Sequence, residues 1–300
     1  MLQDLDQDQI EEFIDIWHRL TYGDIGERQR KQERLQRAVQ QSRAIQELAG
    51  NPLLLTLMAI LNRGEELPQD RARLYEKASE VLLYQWDVEE KLLRDDRLER
   101  YPIEIDYRDK QRMLRRVAAT MQNSAKGLAG NFIRRDELEN CLTDYLKTVK
   151  EAPNAPSIAA LMIDQLRERN FILCFLGDEA YAFVHRTFLE YFCATEIKER
   201  FDKRGAEGGL SFEALRDEVF ANHWQDETWH EVLRLVAGMI DAQFAGELIE
   251  WLLDQKINRA EYLEGDRLRV TGLTIVLLAA DCVGNVRERT GIATVDQRVL

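Results

Sequence analysis

Residues 181–196 read Tyr-Ala-Phe-Val-His-Arg-Thr-Phe-Leu-Glu-Tyr-Phe-Cys-Ala-Thr-Glu, and this stretch decides the fold around it. Large rings and small apolar residues alternate over 181–185, a period of two that predicts a short, half-buried strand. The apolar positions then recur with a helical period, and Thr187 followed by Glu190 predicts a capping box at the start of a helix. His185 therefore lies at the joint between strand and helix, where its titratable ring can either bond internally or meet a ligand.

The residues before this stretch predict the order of a winged-helix domain. Phe171–Phe175 predicts a strand that turns at Gly177-Asp178 and pairs with Tyr181–His185 in a β-hairpin. Apolar stripes with helical spacing predict three preceding helices: Lys110–Asn123, Arg135–Val149 and Ile158–Arg169. Ser157 is the expected cap of the third helix, and Phe132-Ile133 is the site of an expected β-bridge.

The first hundred residues predict a helical module with a rigid turn at Pro52. Apolar stripes indicate helices over three further stretches: Asp8–Trp17, Glu27–Leu48 and Asp70–Leu93. Gly50 is the expected end of the second helix, Asn51 the cap of the next, and Pro52 fits its first turn, where the missing N–H is not needed. The residues after Pro52 are apolar nearly all round, which predicts a buried helix.

The last hundred residues predict more helices. Lys203–Gly209 is rich in glycine and predicts a flexible linker. Apolar stripes then predict short paired helices, typical of the start of a helical-repeat array, over Phe212–Val219, Thr228–Ile240, Ala245–Leu253 and Leu273–Asn285. Trp224, Trp229 and Trp251 are the expected core anchors. The chain is thus predicted to be mainly α: a helical bundle over 1–98, a winged-helix domain with a small β-hairpin over 99–204, and a C-terminal helical domain over 205–300.

Composition excludes several classes of protein. The net charge of -13 argues against binding of the whole chain to nucleic acid or to an anionic membrane. No apolar run approaches the roughly 18 residues of a membrane span, and the residues after Met1 do not resemble a signal peptide. The four cysteines are scattered without a Cys-x-x-Cys pair, which favours reduced core residues in a cytoplasmic protein.

Catalytic and metal-binding motifs are absent from the sequence. It contains no Gly-x-x-x-x-Gly-Lys-Ser/Thr phosphate loop, no Gly-x-Ser-x-Gly elbow and no His-Glu-x-x-His. His223 and His230 lie two helical turns apart, about 10 Å, too far for one ion. We therefore expect no catalytic residues and no metal in this chain.

Two stretches resemble one known family. Phe183-Val-His-Arg-Thr-Phe-Leu-Glu-Tyr-Phe-Cys-Ala194 resembles the Phe-x-His-x-Thr/Ser-Phe-x-Glu-Phe/Tyr-Phe-Ala-Ala signature in the winged-helix domain of NACHT-family (STAND-class) signalling NTPases. Gly50-Asn-Pro-Leu-Leu-Leu-Thr-Leu57, followed by Leu67-Pro68 and Arg73–Glu76, resembles the helical domain that follows their nucleotide-binding domain. The resemblance covers nearly all of this chain but only the middle and later part of a family member, so we expect the chain to begin where that nucleotide-binding domain ends.

The resemblance implies a regulatory, ADP-sensing role within an ATP- or GTP-hydrolysing parent family. In that family the proline corresponding to Pro52 packs against adenine, and the histidine corresponding to His185 contacts the terminal phosphate of ADP. ADP or ATP is expected only together with an upstream nucleotide-binding domain. On activation the implied partners are other proteins or further copies of the chain, and the implied role is to clamp over nucleotide and gate oligomerisation.

Two alternatives remain open from the residues alone. The chain could be a helical adaptor that binds proteins and no nucleotide, with His185 as a core histidine bonded to a backbone carbonyl. It could also be a DNA-binding winged helix, although the helix before the hairpin balances its arginines with acids and the turn Gly177-Asp-Glu179 is acidic. Arg186 is expected as a solvated surface charge, with a second phosphate contact as the alternative.

Overall fold

The computed structural model describes residues 4–85, 96–124, 131–255, 271–286 and 292. The chain forms two compact units, Met1–Leu92 and Leu93–Leu300. Helices dominate both units, and the described strands form one small sheet in the second, which confirms the mainly α fold class. In the described part of the chain, no helix has the length and apolar character needed to cross a membrane.

The first unit is a helical bundle. Its elements are α1 (Gln7–Thr21), α2 (Ile25–Gln41), α3 (Arg43–Ala49), α4 (Pro52–Leu61), α5 (Arg71–Glu80) and a π-helical turn, Val81–Gln85. The core is aliphatic, with Ile14, Leu35 and Leu55 fully buried. The last part of the helix predicted over Asp70–Leu93 lies outside the described residues.

The prediction of a single helix over Glu27–Leu48 is wrong, because the helix is interrupted at Ser42. The backbone of Ser42 is extended, with φ −116° and ψ 112°, and its hydroxyl accepts a hydrogen bond from the backbone N–H of Ile45 at 3.3 Å. Serine competes in this way with the helical ladder and favours a new N-cap over continuation. The rigid turn is confirmed: Asn51 caps α4 by accepting from the N–H of Leu54 at 3.0 Å, and Pro52 occupies its first turn.

The second unit contains the winged-helix segment, in which helices and short strands are interspersed along the chain. The helices are α6 (Tyr107–Gln122), α7 (Arg135–Thr148), α8 (Ala155–Asp164, continued by a π-helical turn to Arg169) and α9 (Arg186–Asp202). The predicted cap at Ser157 is wrong, since α8 begins at Ala155 with Pro156 in its first turn. Proline favours that position because its fixed φ suits a helix start, and this leaves Ser157 inside the helix.

The strands are β1 (Ile133–Arg134), β2 (Leu173–Gly177) and β3 (Ala180–Phe183), paired antiparallel in the order β1-β3-β2. Ile133 pairs with Tyr181, which confirms the expected bridge, and Leu173 pairs with Phe183. β2 begins later than predicted because Phe171 has φ 51°, a left-handed conformation that an extended strand does not admit. Asp178 and Glu179 also have positive φ, as a two-residue hairpin turn requires.

Helices follow the winged-helix segment in the same unit. The long ones are α10 (His230–Met239), α11 (Ala242–Leu253) and α12 (Thr271–Asn285). Shorter helical segments span Phe212–His223 and Glu227–Trp229. Trp229 is buried as expected, while Trp224 and Trp251 are half-buried.

The predicted flexible linker at Lys203–Gly209 is instead a series of hydrogen-bonded turns. The N–H of Ala206 donates to the carbonyl of Lys203 at 2.9 Å, and the N–H of Leu210 donates to that of Arg200 at 2.8 Å. The glycines supply the left-handed conformations that these turns need, with φ 88° at Gly205 and 74° at Gly208. The predicted domain boundaries after residues 98 and 204 stay predictions.

Candidate functional site

His185 lies at the joint between strand and helix, where the alternation and the helical period place it. It is the N-cap of α9, with extended backbone angles of φ −144° and ψ 142°. Its Nδ1 accepts a hydrogen bond from the backbone N–H of Thr187 at 3.3 Å and lies 2.9 Å from the Thr187 hydroxyl oxygen. The capping box predicted from Thr187 and Glu190 is therefore wrong. The extended backbone continues through residue 185, so the helix starts at Arg186 and the imidazole takes the capping role.

This cap fixes how the ring can act. A backbone N–H can only donate, so Nδ1 must be the acceptor, and in the neutral ring the proton then resides on Nε2. The half-buried ring is thus held through Nδ1, and in its neutral form it carries its proton on Nε2. A ring N–H is a suitable donor to an anionic oxygen, and such an anion favours the charged form of the ring.

Arg186 is not the solvated surface charge that was expected. Its side chain is only 30% exposed, and its Nε donates to the carboxylate of Glu190 at 2.7 Å. Its Nη2 donates to the backbone carbonyl of Thr228 at 2.9 Å. Burial raises the pKa of Glu190 to about 7, and the charge of Glu231 adds to this effect while Arg186 opposes it. Arg186 therefore joins α9 to the turn that precedes α10.

A polar cleft of about 230 Å³ lies beside Arg186, between the end of α6 and the Glu227–Trp229 turn. Gln122 also donates to the Thr228 carbonyl, at 2.9 Å, so this one oxygen accepts from two side chains. His223 stacks on Trp229 with ring centroids 3.7 Å apart, and burial lowers the pKa of His223. No local sequence pattern predicts this cleft, because its walls come from segments about a hundred residues apart.

No metal site emerges at the two histidines that share this region. The Nε2 of His230 donates to the carbonyl of Trp224 at 2.8 Å, while the ring of His223 is stacked on Trp229. Among the described residues, no group of three or more His, Cys, Asp or Glu side chains is placed to hold a metal ion.

Pro52 is in the first unit and His185 in the second. Pro52 is half-buried at the start of α4, between the capping side chain of Asn51 and the apolar helix that follows. Its carbonyl accepts a hydrogen bond from the Thr56 hydroxyl at 2.8 Å. The rigid backbone turn on which the adenine contact would depend is therefore present, and the contact itself stays a prediction.

A buried histidine cluster in the first unit is missing from the sequence-based predictions. His18 is fully buried, its Nδ1 donates to the carbonyl of Ile14 at 2.7 Å, and its Nε2 accepts from the amide of Asn62 at 3.4 Å. Asn62 also donates to the carbonyl of Lys31 at 2.8 Å and accepts from Nε of Arg34 at 2.8 Å. We call His18, Asn62 and their partners Ile14, Lys31 and Arg34 the His18 cluster. One feature of the sequence could have indicated this cluster: His18 lies four residues after Ile14, on the apolar stripe of α1.

Several basic residues of the winged-helix segment, which bear on the DNA-binding alternative, are engaged in ion pairs. In the winged-helix segment these pairs are Arg115–Glu199, Arg116–Asp144 at 2.8 Å, Arg135–Glu139 at 2.8 Å and Arg167–Glu168. Paired cations contribute less to a field that attracts phosphate. The structure thus favours ion pairing within the fold over a basic surface for DNA.

Comparison with known proteins finds a family match over the last part of the first unit, from residue 71, and the winged-helix segment. Residues 71–197 match the family model described as a winged helix-turn-helix domain C-terminal to NACHT. The match runs from the start of α5 into α9 and contains His185 but not Pro52. No curated protein matches the chain.

Proposed function

We infer that this chain is a regulatory segment of a NACHT-type signalling NTPase, since residues 71–197 belong to the family of winged helix-turn-helix domains that lie C-terminal to NACHT. In this proposal an upstream nucleotide-binding domain is the partner of the chain and holds the nucleotide. The chain regulates that domain and carries out no chemical step itself.

We propose that His185 is the residue through which the winged-helix domain senses ADP. Bound ADP would supply an anionic terminal phosphate. The Nε2–H of His185 can donate to such an oxygen, because its Nδ1 is already held by the N–H of Thr187. That fixed tautomer is the observation that carries the proposal.

Pro52 has the complementary role in the first unit. Its ring is fixed by the helix start that Asn51 caps, so it offers a rigid apolar surface of the kind that stacks against a base. With both contacts made, the segment closes over ADP and keeps the protein at rest. A trigger then shifts the population to an open state in which copies of the protein associate.

The test uses the chain joined to its upstream nucleotide-binding domain. His185→Ala removes the donor and should lower the ADP that co-purifies with the protein at least about tenfold, as expected for one charge-assisted hydrogen bond. His185→Gln keeps an N–H donor and should retain part of the ADP. ADP is released by denaturation and measured by chromatography.

His223→Gln is the matched control, since it makes the same chemical change at a histidine with no place in the clamp. It should leave ADP content unchanged. If His185→Ala folds normally and retains full ADP, the sensing role of His185 is wrong and the adaptor function takes its place.

One observation favours the adaptor function as the second candidate. Phe175 and Leu176 at the end of β2 are 48% and 59% exposed, and Phe171 just before the strand is 52% exposed. Exposed large apolar side chains are a feature of protein contact surfaces. An adaptor would bind its partner equally well with and without His185, so the same His185→Ala protein separates the two functions.

A further inference from the structure

The helices α9 and α10 pack together with two acidic side chains in their interface. Glu190 on α9 is 7% exposed and Glu231 on α10 is 8% exposed. Their charges oppose each other, and this repulsion adds to the burial that raises the pKa of Glu190 to about 7. Two carboxylates that are both ionised in one buried interface weaken it unless cations balance them.

Two arginines supply the balancing charge from opposite sides. Arg186 binds Glu190 on its own helix, one turn away. Arg234 binds Glu231 one turn away on α10 and also donates to Asp281 on α12 at 2.9 Å. We call Arg186, Glu190, Glu231 and Arg234 the α9–α10 seam. With Asp281 included, these described side chains carry three carboxylates and two guanidiniums, so negative charge is in excess.

Arg186 also binds a backbone group outside the seam. Its guanidinium holds the Thr228 carbonyl, which lies in the turn before α10. It is also the residue directly after His185. One side chain therefore connects the cap of α9, the buried carboxylate of Glu190 and the entrance to the C-terminal helices.

We propose that Arg186 is the positioning residue that couples the His185 end of the winged-helix domain to the C-terminal helices, by holding the α9–α10 seam closed. When its guanidinium leaves Glu190 and Thr228, the seam opens. This inference rests on the proposed function for what moves His185, while the seam itself exists without nucleotide.

The physical reason for opening is the charge left behind. Without Arg186, Glu190 still faces the like charge of Glu231, while Arg234 stays bound to Glu231. The Thr228 carbonyl keeps the single donor of Gln122. In a protein without Arg186, neutralising Glu190 should therefore close the seam again, because the repulsion between Glu190 and Glu231 is then absent.

The test measures hydrogen exchange of the backbone amides of α10 in the full chain at pH 7.5. Arg186→Gln should speed this exchange by roughly 3- to 10-fold, because the buried carboxylate loses its partner and at this pH can take up a proton instead. The double variant Arg186→Gln/Glu190→Gln should return to within about twofold of the original rate, since no buried charge is left to repel Glu231. The amides of α7, in the same unit but outside the seam, report any general loss of stability.

Lys198→Gln is the matched control, since Lys198 pairs with Asp202 four residues on along the same helix, and this carboxylate is 51% exposed whereas Glu190 is buried. It should not change exchange in α10. The extra exchange of Arg186→Gln should also fade as the pH is lowered from 8 to 6, after correction for the intrinsic rate, because protonation of Glu190 replaces the missing cation.

Two results would overturn the proposal. One is an unchanged exchange rate of α10 in Arg186→Gln, and the other is a faster rate that neither Glu190→Gln nor acid restores, which indicates simple loss of packing. These results are independent of the ADP measurement. If His185→Ala releases ADP while Arg186→Gln leaves α10 unchanged, the clamp stands and the coupling is wrong.

Discussion

In the first unit a buried imidazole is matched by neutral partners, whereas in the second a buried carboxylate faces another carboxylate. His18 donates through one ring nitrogen and accepts through the other, with Asn62 completing its bonds. Glu190 has a cationic partner in Arg186 but a like charge in Glu231. A satisfied neutral cluster fixes one arrangement of its helices, while a cluster with excess charge holds its helices only as long as its counter-charges stay in place.

The largest expected effect is the loss of the His18 cluster. Asn62→Leu keeps the side-chain size but leaves His18, the Lys31 carbonyl and Arg34 without their amide partner. Unsatisfied buried groups cost about 1–3 kcal/mol each, so we expect the first unit to lose about 3 kcal/mol of its free energy of unfolding. Urea denaturation followed by hydrogen exchange in α1 measures this loss.

Asn51→Leu is a control at the other end of α4, the helix that Asn62 follows, and should cost about 1 kcal/mol, the loss of one cap. If Asn62→Leu is no more destabilising than that control, the cluster does not hold the unit together.

The pH dependence of the two clusters should have opposite signs. Burial lowers the pKa of His18 below its usual 6.5, so its contribution to stability is present above pH 6.5 and is lost as the pH falls through the lowered pKa. Burial raises the pKa of Glu190 from 4.5 to about 7, so its contribution is present below pH 4.5 and is lost as the pH rises toward 7. Between pH 4.5 and 6.5, acid should weaken α1 and strengthen the α9–α10 seam.

Glu190→Gln tests the second sign. The amide mimics the protonated acid, so at pH 8 it should stabilise the seam by about 1 kcal/mol, and near pH 5 it should change little. Hydrogen exchange of α10 and α1 across this pH range gives both slopes in one series. Slopes of equal sign in the two helices would contradict the contrast between the clusters.

Local sequence rules predicted the fold wherever a single strong signal was present. The Gly50-Asn-Pro turn, the β-hairpin and most of the apolar stripes led to the observed element within a few residues, with the break at Ser42 as an exception. The rules failed at two helix starts. α8 begins two residues before Ser157, with Pro156 in its first turn, and α9 is capped by His185, whose backbone is extended, and not by Thr187.

Only part of the candidate site could be predicted from the sequence. The position of His185 follows from a strand and a helix that are adjacent in the chain, so a periodicity argument reaches it. Arg186 bonds to Thr228, 42 residues away, and Glu190 meets Glu231 at a similar separation. Contacts of this range leave no local pattern, so the charge that looked solvated proved to be half-buried.

The smallest effect concerns the two helix starts, which differ in how replaceable their caps are. Asn51→Ser should cost only a few tenths of a kcal/mol, because a serine hydroxyl accepts from the same N–H of Leu54. His185→Ser can likewise accept from the Thr187 N–H and should leave the stability of α9 within about 0.5 kcal/mol, but it removes the Nε2 donor. If the proposed function is right, His185→Ser therefore unfolds like the unmodified chain and still loses ADP when joined to the upstream domain. A His185→Ser protein that retains ADP would mean that the His185 ring only caps α9. Asn51 and His185 would then both be helix caps and nothing more.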